Sequence, residues 1–105
     1  MDERHVLDRR NVSFIMVTKA VIKDVRLKAS DKAVYSVLCM YADNHTSDCF
    51  PSRETIIAES CVSDKTLRNS IGRLQKFGYI DVEKRSSKYG RASNRYVLLN
   101  IENKQ

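Results

Sequence analysis

The sequence is poor in the residues that mark several common classes of protein. Its 105 residues include three Gly and one Pro, which argues against a low-complexity chain. No apolar run approaches the roughly 18 to 20 residues that span a bilayer, so we expect no membrane partner. The first 13 residues mix both signs of charge and lack the apolar segment of a secretory signal. These absences indicate a soluble, cytoplasmic protein.

Catalytic and metal-binding patterns are also missing. Only two histidines are present, His5 and His45, and the chain has neither a Gly-rich phosphate loop nor a legible nucleophile motif. The cysteines, Cys39, Cys49 and Cys61, are odd in number and lack CxxC spacing, which argues against a disulfide framework or a zinc site. We expect small buried or half-buried thiols. The sequence therefore predicts no enzyme, no metal and no cofactor.

The positive charge is confined to one part of the chain. The net charge is +6, yet residues 1–62 hold nine basic and nine acidic residues, which cancel. Residues 63–101 hold nine basic and three acidic residues and carry the whole excess. A basic half joined to a neutral half is typical of a surface that binds a polyanion, most often nucleic acid. The alternative interpretation is a solvated face that only aids solubility.

At this length the chain is expected to form one domain. We predict a flexible arm at 1–13, the domain at 14–101 and a tail at 102–105. The apolar segment FIMV, residues 14–17, is predicted to be a short strand or a docking stretch. Thr18 is then the predicted cap of a brief helix in KAVIKDV.

The first long helix is predicted at about 31–43, with Ser30 as its N-cap. Its apolar residues recur at three- and four-residue spacing and cover nearly the whole circumference: Ala33, Val34, Val37, Leu38 and Tyr41. Such a helix lies at the centre of a core or also contacts a partner subunit. The segment NHTSDCFPS that follows is predicted to be a loop, which ends around Pro51.

A short helix and a longer helix come next, joined by a tight turn at a Cys-Val pair. Ser52 is the predicted cap of the short helix in RETIIAES. Ser63 is the predicted cap of the longer helix, at about 64–77, and Gly78 is its expected end.

The longer helix has two distinct faces when it is plotted at about 100° per residue. An apolar stripe collects Leu67, Ser70, Ile71, Leu74, Phe77 and Gly78. The opposite side is cationic, with amide and hydroxyl groups, and it collects Lys65, Thr66, Arg68, Asn69, Gly72, Arg73 and Lys76. A glycine lowers helix stability. Gly72 on the outward face therefore indicates either that something approaches the backbone there or that the glycine is a neutral accident.

A basic β-hairpin is predicted after the helix. YIDVEKR alternates with a period of two, and RYVLLNI is rich in residues that favour strands. The loop SSKYGRASN between them is too long for a two-residue turn, so its tip projects. No acidic residue stands between Lys84 and Ile101, whereas that stretch holds five cations: Lys84, Arg85, Lys88, Arg91 and Arg95.

This order of parts predicts an α+β winged helix-turn-helix, with a three-helix core and a C-terminal β-hairpin wing. A helix fits the major groove of DNA, where each base pair shows a distinct pattern of donors and acceptors, and the first half of the longer helix reaches base edges in this motif. The wing meets phosphates or enters the minor groove. The candidate DNA-binding residues are Ser52, Arg53, Ser63, Lys65, Thr66, Arg68, Asn69, Arg73, Lys76, Lys84, Arg85, Lys88, Tyr89, Arg91 and Arg95.

The stretch from Pro51 to Arg85, followed by GRASNRYVL, resembles the winged helix-turn-helix domains of phage and plasmid replication initiators and DnaD-type primosome proteins. KASDKAVYSVLCMYAD resembles the first helix of those domains, so the likeness covers about 14–101. The resemblance implies a winged-helix fold and DNA binding. Its motifs are Pro51-Ser52, Ile57-Ala58, Val62-Ser63, Thr66-Leu67, Leu74 with Gly78, and Asn94-Arg95-Tyr96.

The turn between the two helices departs from the pattern of that family. One residue fewer than usual separates Ala58 from Val62, and Cys61 stands where the turn usually has Gly. We therefore predict that Ile57, instead of Ala58, lies at the close contact between the helices.

The leading hypothesis is sequence-specific binding of double-stranded DNA, by a small transcriptional regulator or a replication-initiation module. A homodimer through the first long helix or the N-terminal arm is a further expectation, because paired half-sites raise specificity. In the alternative these segments only complete the core. The competing hypothesis is a protein–protein interaction module that keeps the winged-helix scaffold and docks a partner on the apolar first helix.

Overall fold

Four helices and a small antiparallel sheet make up the part of the chain that the computed structural model describes, residues 13–87, 90–91 and 93–99. The central sheet has the strand order β1-β5-β2, and β3 pairs with β4 beyond it. The elements are α1 (Lys19–Lys23), α2 (Ala29–Tyr41), β1 (Asp48–Cys49), α3 (Arg53–Ser60), α4 (Asp64–Lys76), β2 (Ile80–Glu83), β3 (Ser86–Ser87), β4 (Gly90–Arg91) and β5 (Arg95–Leu98).

Three of the predicted helix caps are confirmed. The hydroxyl of Thr18 accepts a hydrogen bond from the backbone N–H of Ala20 at the start of α1. The hydroxyls of Ser52 and Ser63 each accept from the N–H three residues on, at 3.1 Å, at the starts of α3 and α4. Each cap satisfies a backbone donor that the first turn of a helix leaves without a partner.

The predicted cap of the first long helix is wrong. Helix α2 begins at Ala29, and its N-cap is Lys28 instead of Ser30. The carboxylate of Asp31 accepts from the backbone N–H of Lys28 at 2.8 Å, which satisfies that donor and lets the helix start two residues earlier than predicted. Ser30 lies inside the first turn, half-buried, with its hydroxyl 3.4 Å from that of Ser70.

Helix α2 lies at the centre of the fold, as predicted from its apolar circumference. It packs against α3, α4, β1 and β5. The buried side chains come from every layer around it: Val34, Tyr35, Val37 and Leu38 of α2 itself, Ile56 of α3, Leu67 and Leu74 of α4, and Tyr79, Ile80 and Tyr96 of the sheet region. This shared core fixes α4 relative to the sheet.

The predicted hairpin is confirmed as β2 and β5, which pair antiparallel with Ile80 opposite Leu98 and Glu83 opposite Arg95. The predicted loop before α3 contains a strand that sequence periodicity missed. Strand β1 pairs with β5, and Cys49 lies opposite Tyr96. Two residues are too few to show a period of two, so only the pairing with a distant strand identifies β1.

The apolar segment before α1 forms neither a strand nor a helix. Phe14, Ile15 and Met16 are exposed, and Val17 is half-buried against the core. The predicted arm at 1–13 and the tail at 102–105 lie outside the described residues, except for Ser13. Among the helices of the described ranges, none is both long and apolar enough to cross a membrane.

Candidate nucleic-acid interface

The turn between α3 and α4 depends on an unusual backbone conformation at Cys61. This residue has φ 59° and ψ 40°, in the left-handed region, and its N–H donates to the carbonyl of Ile57 at 2.9 Å. Glycine is the common residue in such a helix end, because a side chain is strained there. Ile57 is half-buried against the core whereas Ala58 is exposed, so Ile57 is the more inward of the two residues, and its place at the close contact between the helices stays a prediction.

Helix α4 has the two faces that its sequence predicts. Leu67, Ser70 and Leu74 are buried, and Ile71 and Phe77 are half-buried beside them. The helix ends where Gly78 takes φ 83°. The outward face presents exposed side chains along its whole length, with Thr66 half-buried at its border: Lys65, Arg68, Asn69 and Lys76, with Gly72 between them.

Two arginines of this interface converge on one carboxylate at the start of α4. Arg68 donates from Nη1 to Oδ2 of Asp64 at 2.8 Å, and Nη2 of Arg53 pairs with Oδ1 of the same residue. The hydrogen bond from Arg53 lowers the pKa of Asp64, and Arg68 adds to the effect. All three side chains are exposed. The N-terminal end of α4 therefore gathers two guanidinium groups around an ionised acid.

Arg73 turns away from the outward face. Its Nε donates to Oδ2 of Asp31 at 2.7 Å and its Nη2 donates to Oδ1 at 2.8 Å, in a bidentate pair between α4 and α2. The Asp31 side chain is fully buried. Burial alone raises the pKa of Asp31, but the hydrogen bonds from Arg73 and from the N–H of Lys28 outweigh burial, and the pKa lies below its usual range. Arg73 thus joins two helices of the core.

The C-terminal end of α4 is held by a network that the sequence did not indicate. The guanidinium carbon of Arg26 lies 4.1 Å from the centroid of the Phe77 ring. Arg26 also pairs with Asp24 at 2.6 Å, and that carboxylate accepts a hydrogen bond from the hydroxyl of Tyr79 at 2.5 Å. The Nζ of Lys76 lies 5.7 Å from the same Phe77 ring. The segment between α1 and α2 therefore anchors the end of α4.

The base of the wing carries cations in two different settings. The guanidinium of Arg85 lies 4.4 Å from the centroid of the exposed Phe50 ring, and its Nε donates to the carbonyl of Ser93 at 2.8 Å. Arg95 pairs with Asp48 at 2.8 Å, so one of the five wing cations is held between strands. Lys84 and Arg85 are exposed.

A family model described as a helix-turn-helix domain matches residues 25–80, which include α2, the α3–α4 pair and the start of β2. The chain belongs to this helix-turn-helix family. The helix-turn-helix domain carries a β-hairpin after α4, so the fold is the predicted winged helix-turn-helix. Membership suggests DNA as the partner, and domains of this family are typically not enzymes. No curated protein and no solved structure matches the chain.

The helix-turn-helix domain brings most of the predicted site residues to its exposed side, with three kinds of exception. Ser52 and Ser63 use their hydroxyls as helix caps. Arg73 pairs inward. Lys88 and Tyr89, at the tip of the wing, lie outside the described residues, and Arg91 is described only through the pairing of its backbone with Ser86.

The thiols of the helix-turn-helix domain are split between interior and surface. Cys49 is buried and Cys39 is half-buried, and burial raises the pKa of each to about 11. The thiol of Cys49 donates to the carbonyl of Leu38 at 3.6 Å. Cys61 is exposed and therefore departs from the expectation of a buried or half-buried thiol. Cys61 adopts a left-handed backbone conformation, which glycine most often adopts at the end of a helix.

Proposed function

We propose that this helix-turn-helix domain binds double-stranded DNA in a sequence-specific manner. The observation that carries the proposal is the division of α4 into a face anchored in the core and an exposed cationic face. Leu67, Ser70 and Leu74 are fully buried on one side, and Lys65, Arg68, Asn69 and Lys76 are exposed on the other. A rigidly held helix with a polar outer face can enter the major groove, where base edges are distinguishable.

The first half of α4 supplies the proposed base-reading residues. Arg68 has the planar fork that pairs with guanine, and Asn69 has the amide that pairs with adenine. Both side chains are exposed and lie within the first two turns of the helix. Lys65 and Thr66 flank them and complete the proposed reading surface.

Phosphate contacts are proposed for the two ends of this surface. Ser52, Arg53 and Ser63 stand at helix starts, where backbone N–H groups and the helix dipole favour anions. Lys76 extends the cationic face towards the end of α4. The proposed wing contacts are Lys84, Arg85, Lys88, Tyr89 and Arg91.

Two of the predicted contact residues are assigned a supporting role instead. Arg73 pairs with Asp31, and Arg95 pairs with Asp48, in both cases through hydrogen bonds shorter than 3 Å. A guanidinium that is engaged in this way positions α4 or the wing for the residues around it.

The biological role is proposed to be that of a small cytoplasmic transcriptional regulator or a replication-initiation module. A homodimer is part of this proposal, through α2 or the N-terminal arm. Exposed apolar side chains support it, since Met40 and Tyr41 of α2, and Phe14 and Met16 of the segment that follows the arm, are 42% to 79% exposed. Two copies would place two recognition helices on paired half-sites.

A protein–protein interaction module is the second candidate function. A groove of about 550 Å³ on the surface of the domain has both apolar and polar walls, and it is lined by Phe14, Ile15, Met16, Met40 and Leu98 together with Asp43, Asn44 and Ser47. Exposed apolar surface of this kind occurs at protein interaction sites. The two candidates differ in their dependence on charge, because a pure interaction module does not need the cations of the wing.

The test is a binding titration against a library of random duplexes, followed by sequencing of the selected DNA. We expect binding that weakens steeply as salt rises, because each phosphate contact releases a counterion. Arg68→Ala and Asn69→Ala should each reduce discrimination between selected and random duplexes by about tenfold. Arg91→Ala should weaken all duplexes alike, since wing contacts to phosphates carry no sequence information.

Charge reversal separates the two candidate functions. Lys88→Glu with Arg91→Glu should abolish DNA binding while leaving the far-ultraviolet circular dichroism spectrum unchanged. Binding that is absent at low salt, or that does not depend on salt, contradicts the DNA-binding proposal. Retention of a co-purifying protein partner by the charge-reversed variant, together with lack of DNA binding by the wild type, favours the interaction module.

A further inference from the structure

Gly72 leaves a gap in the middle of the cationic face of α4. It is exposed, and a Cβ atom built on it meets no heavy atom within 4 Å. Its φ is not in the left-handed region. Among the described glycines, Gly78 is the one with a φ in that region. Neither packing within the described residues nor backbone conformation therefore requires a glycine at this position.

The glycine nevertheless lowers the stability of the helix. A residue without a side chain loses more conformational freedom on folding than alanine does and exposes the helix backbone to water. Position 72 is the ninth of the 13 residues of α4, well inside the helix and away from its caps. A gain made outside the free chain, in a complex, would offset this loss.

Three of the four neighbours of Gly72 on the helix surface are side chains already proposed to bind DNA. Residues three and four apart lie next to each other on a helix, so Arg68 and Asn69 flank Gly72 on one side, and Gln75 and Lys76 flank it on the other. All four are exposed. The result is a patch of bare backbone surrounded by two cations and two amides.

The length of α4 places this patch near the edge of the groove. Thirteen residues span about 20 Å, which exceeds the roughly 12 Å width of the major groove. If Asn69 reads bases, Gly72 lies about 4.5 Å further along the helix axis, towards the wall formed by the sugar–phosphate backbone. Lys76 lies one turn beyond and can neutralise a phosphate of that wall.

The geometry points to Gly72 as the place where the sugar–phosphate wall of the major groove makes van der Waals contact with the backbone of α4. This inference rests on the proposed DNA binding and adds the closest point of approach to it. The absence of a Cβ lets the wall come closer than any other residue would allow, while Arg68 and Lys76 on either side supply the attraction.

The test is to fill the gap. Gly72→Ala should raise the thermal midpoint of the free protein by a few degrees, since alanine favours the helix and its methyl group enters open space. The same variant should weaken DNA binding by about fivefold, and Gly72→Leu by about a hundredfold, because each added carbon intrudes on a close contact. A variant that is more stable yet binds more weakly cannot owe its loss to unfolding.

Ala58→Leu is the matched control, since it adds carbons at an exposed helix position on α3 that is assigned no DNA contact. It should change affinity by no more than about twofold. The loss at Gly72 should be the same for selected and random duplexes, because the wall carries no sequence information. If wild type and Gly72→Ala bind DNA with equal affinity, the proposed contact between Gly72 and the sugar–phosphate wall is wrong. A loss of affinity confined to one DNA sequence also contradicts it. A wild type that binds no duplex overturns the DNA-binding proposal itself, and the contact with it.

Discussion

Helix α4 takes part in two aspartate–arginine interactions, one buried in the core and one exposed at the start of the helix. On its inner side Arg73 forms a bidentate pair with Asp31, whose side chain is 0% exposed. On its outer side Asp64 pairs with Arg68 and Arg53, and the exposed fractions are 52% for Asp64 and 61% for Arg68. The inner pair joins two core helices, whereas the outer group lies on the proposed DNA-binding surface.

Burial decides what each interaction can do. A buried charge without its partner is strongly unfavourable, so the inner pair resists dissociation and fixes the orientation of α4 on α2. An exposed pair is screened by water and salt and is easily exchanged for another partner. Arg53 can therefore leave Asp64 for a phosphate, while Arg73 cannot leave Asp31 without leaving an unpaired carboxylate in the core.

The largest expected effect comes from breaking the inner pair. Arg73→Ala leaves the carboxylate of Asp31 buried without its bidentate partner and should lower the free energy of unfolding by about 3 kcal/mol at neutral pH. Urea titration followed by circular dichroism measures this change. Arg68→Ala is the matched control, since it removes an arginine from the same helix but from an exposed pair, and its effect should be within the error of the titration.

A double-mutant cycle assigns the loss to the pair. Asp31→Asn combined with Arg73→Ala should be less destabilised than the sum of the single variants, because the double variant leaves no unpaired buried charge. Additive effects of the two substitutions would show that the residues act independently.

The second prediction concerns acid. In the wild type the folded-state pKa of Asp31 lies below its usual range, so the pair contributes stability above the unfolded-state pKa and loses it as pH falls through the folded-state value. In Arg73→Ala the burial of Asp31 is no longer offset by Arg73, so the folded-state pKa of Asp31 should rise. The unfolding free energy of the variant should therefore rise relative to that of the wild type as pH falls. The difference in unfolding free energy between the two proteins should therefore narrow from pH 7 to about pH 4. If urea titrations show that the difference in unfolding free energy stays constant or grows as pH falls, the pKa of Asp31 is not lowered by Arg73.

The smallest expected effect on folding comes from the outer group. Asp64→Asn should move the thermal midpoint by no more than about two degrees, because its partners are exposed. It removes an acid that competes with phosphates for Arg53, so affinity for random duplexes should rise by roughly threefold at low salt. Discrimination should fall, since Arg68 loses the carboxylate that holds it across the first turn.

Glu54→Gln is the control for charge alone. It removes one negative charge from an exposed position in the first turn of α3 and leaves Asp64 in place. It should raise affinity less than Asp64→Asn does and should leave discrimination unchanged. Equal behaviour of the two variants would show that Asp64 acts through net charge and not through its arginines.

Local features of this domain follow from the sequence because they depend on neighbours within one helical turn. The caps Ser52 and Ser63, the apolar stripe of α4 and its end at Gly78 are all visible in the order of residues. The cap of α2 shows the limit of such reasoning. Ser30 suits a cap by residue type, yet the hydrogen bond from the N–H of Lys28 to Asp31 lets the helix begin at Ala29.

The sequence by itself determined the winged helix-turn-helix and the cationic face of α4, because periodicity and capping are local. Only the tertiary structure decided which cations remain on that face. Arg73 meets an aspartate 42 positions away and Arg95, in the wing, meets one 47 positions away, and no local pattern pairs residues that are so distant in the chain. Strand β1 appears for the same reason, since two residues become a strand only when β5 supplies their hydrogen-bond partners. Helical periodicity gives the direction of a side chain, whereas its partner depends on how distant segments pack.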